Sequence, residues 1–90
     1  MKIPKSFELY GRTVKVVERE LDDDVCAQWE AQKDLITIKR GLPPDLTAHS
    51  FYHEFYHAAF DALGRDDLSK DEALVDGLAG LVHQMLKTAK

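Results

Sequence analysis

Residues 44–63, Pro44-Asp45-Leu46-Thr47-Ala48-His49-Ser50-Phe51-Tyr52-His53-Glu54-Phe55-Tyr56-His57-Ala58-Ala59-Phe60-Asp61-Ala62-Leu63, contain no helix breaker after the first position and are followed by Gly64. Proline costs no hydrogen bond in a first helical turn, and glycine just past the last turn supplies a left-handed stop. The segment from about 44 to 63 is therefore predicted as one helix. Five of the chain's eight aromatic residues lie on it: Phe51, Tyr52, Phe55, Tyr56 and Phe60. Apolar side chains cover more than one of its faces, so it is expected to be buried on several sides and to form the core.

The same helix carries His53-Glu54-Phe55-Tyr56-His57, an H-E-x-x-H pattern. Residues four apart share a helix face with Cβ atoms about 6 Å apart, so both imidazoles can reach one metal ion. Glu54, roughly 100° further round the helix, is badly placed to join that shell and well placed to reach a water beside it. Two histidine ligands, one carboxylate base and an open coordination position make the donor set of a zinc hydrolase.

Upstream, Phe7 and Leu9 alternate with Glu8 and Tyr10, then Val14 and Val16 alternate with Thr13 and Lys15. This period of two on either side of Gly11 predicts a hairpin with one buried face. Asp22-Asp23-Asp24 reads as a solvated turn, residues 25–31 as a third strand, and Leu35-Ile36-Thr37-Ile38-Lys39 as the clearest strand of all. Cys26 and Trp29 read as packing residues.

Downstream, Arg65–Leu68 reads as a charged connection and residues 69–87 as a second helix with an apolar stripe of Leu74, Leu78, Leu81, Val82 and Met85. Gly77 and Gly80 inside that helix cost about 1 kcal/mol each relative to alanine, and close approach to the first helix would offset the cost. Near its start, Glu72 is positioned to complete a His53–His57–Glu72 metal site, and Asp76, one turn later, to accept the free ring N–H of a ligand histidine. Ser69-Lys70-Asp71-Glu72 also reads as a capping box, in which Glu72 turns back to the backbone and Asp71 or Asp76 ligates instead. His49, four residues before His53, reads as a polar residue near the helix start with the option of being a ligand.

The expected architecture is α+β: one domain over residues 1–90, with a small antiparallel or mixed sheet of three or four strands (about 6–40) packed on two helices. With 44% hydrophobic residues the chain can bury a modest core. A single cysteine excludes an internal disulfide framework and fits a reducing, cytoplasmic setting, and no signal peptide or membrane span is expected. The net charge of −4, with scattered basic residues, argues against nucleic-acid binding.

H-E-x-x-H followed by Glu72-Ala73-Leu74-Val75-Asp76, an E-x-x-x-D on the next helix, resembles the gluzincin metallopeptidases. The short chain, with strands leading directly into the motif helix, is most similar to the minimal gluzincins, including the ImmA/IrrE-type and phage-encoded peptidases. The resemblance spans about residues 35–86. It implies one Zn2+ bound by His53, His57 and Glu72, Glu54 as general base, Asp76 as the partner of His53, and a peptide or protein substrate laid along Ile36, Thr37 and Ile38 as an edge strand. Tyr10, His49 and His83 are the candidates for stabilising the oxyanion. Two other readings stay open: a zinc-stabilised, non-catalytic protein-binding module, and a metal-free interaction protein. A protein partner or a homo-oligomer is compatible with all three.

Overall fold

The computed structural model describes residues 3–90. Tyr10 and Gly11 both take positive φ, 48° and 79°, so two left-handed residues turn β1 (Ser6–Leu9) back into β2 (Arg12–Arg19). That turn twists in the sense of the strands it joins. The chain then bends at Asp22–Val25, passes through β3 (Ala27–Glu30) and a single 3-10 turn at Ala31–Lys33, and returns as β4 (Leu35–Lys39). Three helices follow: α1 (Pro44–Ala62), the one-turn α2 (Asp66–Ser69) and α3 (Glu72–Thr88). The fold is α+β, as the sequence patterning implies.

The sheet is mixed, in the order β1-β2-β4-β3, with β2 and β4 parallel and both outer pairs antiparallel. Val14, Val16, Ile36 and Ile38 form its buried face and pack with Ala48, Phe51 and Tyr52 of α1. α1 lies between the sheet and α3, which explains its apolar residues on more than one side. Trp29 Nε1–H donates to Asp61 Oδ2 at 2.7 Å and ties β3 to the last turn of α1. Gly64, at φ 71°, closes that helix: its N–H reaches the Asp61 carbonyl at 3.0 Å while that of Arg65 reaches Phe60 at 2.9 Å.

Five expectations are corrected. Cys26 is exposed just before β3 and does not pack in the core. β4 is an interior strand, so Ile36, Thr37 and Ile38 offer no free backbone edge. All three are buried, with Thr37 on the opposite face only 2% exposed between its cross-strand neighbours Val17 and Gln28. Burial of successive residues, on both faces, is the mark of a central strand. The second helix does not run unbroken from 69: a turn at Lys70 and Asp71 separates α2 from α3, and the connection expected at Arg65–Leu68 is mostly α2. The stripe is rotated, since α3 buries Val75 and Ala79, with Val82 packed against the core, and leaves Leu81 and Met85 exposed. Finally, the glycines do not mediate close helix packing. A Cβ at Gly77 would meet nothing within 4 Å, and one at Gly80 would only touch His49 Cε1 at 3.6 Å.

Candidate metal centre

Because α1 is unbroken, His49, His53 and His57 lie one turn apart along one face, towards α3. The His53 and His57 rings stand 5.0 Å apart between centroids. Glu72, at the first position of α3, places one oxygen, Oε1, 3.1 Å from His53 Nε2 and 3.3 Å from His57 Nε2. Ligand atoms at about 2.0–2.1 Å from a tetrahedral zinc are themselves about 3.4 Å apart, so the three donors converge at nearly that separation.

The far sides of both rings are held. His57 Nδ1 is 3.1 Å from Ser69 Oγ, and His53 Nδ1 is 3.1 Å from Asp76 Oδ1. His53 thus lies between two carboxylates, which accept hydrogen bonds and do not donate them. The neighbouring His49, then His53, hold the Asp76 carboxyl below its ordinary range by hydrogen bonding, which keeps it ionised. A neutral imidazole has one N–H. When His53 donates it to Asp76, its Nε2 lone pair faces the Glu72 oxygen, and a proton or a metal cation must stand between them. The donor set therefore fits a divalent cation.

The rival reading of Glu72 as a helix cap is removed. Asp71 caps α3, its Oδ1 accepting the Leu74 N–H at 3.1 Å, and Ser69 spends its hydroxyl on His57. Asp71 is turned to the backbone and lies outside the clustered donors, and the Glu72 side chain is left to face the histidines.

Glu54 is buried, 8% exposed, and has no hydrogen-bond partner among the described residues. Its surroundings raise the carboxyl above its ordinary range, chiefly by desolvation; His53 and His57 pull it back down and Glu72 adds to the rise. A carboxylate with so little exposure and no protein hydrogen bond is costly unless it serves a purpose. It faces an open groove of about 450 Å³, walled by Asp24–Ala27 on the approach to β3 and by His49, Ser50 and His53 of α1. The edge strand beside this groove is β3, not β4.

Of the three oxyanion candidates, only His49 lines the groove. Tyr10 is exposed at the hairpin turn, beside a separate hollow with Trp29 and Asp61. His83 Nε2 lies 3.4 Å from Asp45 Oδ1 near the other end of α3. His49 Nε2 is 2.8 Å from Asp76 Oδ1. Sequence reasoning missed the role of Ser69, because its spacing to Glu72 also makes a capping signature. It likewise missed the groove wall at Asp24–Ala27, because those residues form a turn and a strand start with no periodic signal. No family model, curated protein or solved structure gives a significant match to this chain, so the site is read from its own geometry.

Proposed function

We propose that this chain is a zinc-dependent metallopeptidase of minimal gluzincin type, with His53, His57 and Glu72 as metal ligands and Glu54 as general base. The observation that carries the reading is the single Glu72 oxygen facing two imidazole nitrogens at 3.1 and 3.3 Å, with an unpartnered, buried carboxylate alongside. Held by His53, His57 and Glu72, zinc would supply Lewis-acid polarisation of the scissile carbonyl and would acidify a water. Glu54 takes the proton of the attacking water on its carboxylate and hands it to the leaving amine. Asp76 and Ser69 fix the ring orientations of His53 and His57, so the two nitrogens need no reorganisation. The free edge of β3 accepts an extended peptide by strand addition and leads it past Glu54 along the groove. A reducing, cytoplasmic setting suits the exposed free thiol of Cys26 on the groove wall.

The test pairs metal content with hydrolysis. Protein purified without chelator should carry about one zinc per chain. Glu54→Gln should keep the zinc and lose peptide cleavage by at least about a hundredfold, and His53→Ala should lose both. Cleavage surviving in Glu54→Gln contradicts the assignment of the base.

A second reading is favoured by the position of the cluster on the seam between α1 and α3: a zinc-stabilised module that binds peptides without cutting them. It differs in one result. Zinc and peptide binding are then equal in wild type and Glu54→Gln, and neither cleaves.

A further inference from the structure

His49 belongs neither to the ligand set nor to the proton transfer, yet the chain commits a half-buried imidazole to it. Its Nε2 approaches Asp76 Oδ1 at 2.8 Å, the same oxygen that His53 Nδ1 approaches at 3.1 Å. Two donors one helical turn apart on α1 converge on one acceptor of α3. The His49 ring also has a defined seat: it lies edge-on to the His83 ring at 6.5 Å between centroids, and its Cε1 occupies the space beside Gly80.

Asp76 needs such help. Its side chain is 60% exposed, so water competes for it and holding one rotamer carries an entropy cost. A single N–H from His53 would have to fix the carboxylate that is supposed to fix His53. The second N–H breaks that circle.

Resting on the metal centre described above, we propose that His49 is a positioning residue: it anchors Asp76, and through Asp76 orients His53 towards the metal. The alternative use of the same atoms, a second metal ion on His49, His53 and Asp76, requires His53 to surrender its Nδ1 proton while Nε2 is already a ligand. That use would make the His53 ring a bridge between two cations and would show as a second zinc per chain. The shared oxygen reads instead as a hydrogen-bonded bridge, with one metal ion beside it.

The experiment is a zinc-affinity cycle by competition with a chromogenic chelator, using wild type, His49→Phe, His49→Gln, Asp76→Asn and the double variant His49→Phe/Asp76→Asn. His49→Phe keeps a ring in the seat but removes the donor, and should weaken zinc about five- to tenfold with one zinc per chain retained. His49→Gln restores a donor and should recover most of the loss. In the Asp76→Asn background the His49→Phe change should have little further effect, because the two act in series. A purely structural role for His49 would lower the zinc-free melting temperature and add to Asp76→Asn in full.

Equal zinc affinity in wild type and His49→Phe overturns the role of His49 while leaving the metal centre standing. So does an undiminished effect in the double variant, or a fall from two zinc ions to one. Wild type that takes up no zinc overturns the metal centre itself, and this inference with it.

Discussion

Glu54 costs stability in the metal-free protein. Its carboxyl is raised, mainly by burial, so between the ordinary carboxylate range and the raised value the unfolded chain releases a proton that the folded chain keeps. Stability from this group therefore falls as pH rises through that window. The penalty is complete above it and absent below the ordinary value. Glu54→Gln should accordingly stabilise the zinc-free protein against urea at pH 7, and the advantage should vanish at about pH 3.5, where the wild-type Glu54 carboxyl is protonated in the folded and the unfolded chain alike. A variant less stable than wild type at pH 7 would contradict the account of an unpaired, functional carboxylate. His53, Glu54 and His57 were legible in the sequence because helical spacing alone puts them on neighbouring faces. The fate of Ser69 was not. A serine three residues before a glutamate is equally a cap or a partner for a distant ring, and only the Asp71 cap decides between them.

Among the elements, α1 was readable to within a residue because proline and glycine mark its ends. α3 departs from the sequence pattern at its start and in the face it buries. Leu81 and Met85 have the right spacing for a stripe, but Val75 and Ala79 are the residues buried on the α1 side. β4 was recognised as a strand, yet nothing local distinguishes an interior strand from an edge; that depends on β3 adding outside it. Gly77 gives the element-scale prediction. It is helical, without positive φ, and a Cβ there meets open space. Gly77→Ala should stabilise the protein by about 1 kcal/mol in chemical denaturation, through helix propensity alone. A loss of stability would mean that the α1–α3 contact is closer than described.

For the whole molecule, the polar side of the α1–α3 seam is a row of cross-helix pairs. Glu72 meets His53 and His57, Asp76 meets His49 and His53, and Asp45 meets His83 and Lys87. In a domain this small, a metal ion binding the folded form at one end of that row would add directly to stability. Chelation should lower the melting temperature of wild type by several degrees or more and leave that of His53→Ala unchanged. The α+β class and the single core followed from strand patterning ahead of an aromatic helix. The groove did not, because it is built from a turn, an edge and two helices that meet only in three dimensions.

The most direct measurement is zinc K-edge X-ray absorption of the purified protein. The account predicts about one zinc per chain in a shell of nitrogen and oxygen only, at about 2.0–2.1 Å, with outer-shell scattering from two imidazoles. An edge that lacks stoichiometric zinc, or a sulfur shell at about 2.3 Å showing that Cys26 is the anchor, would contradict it.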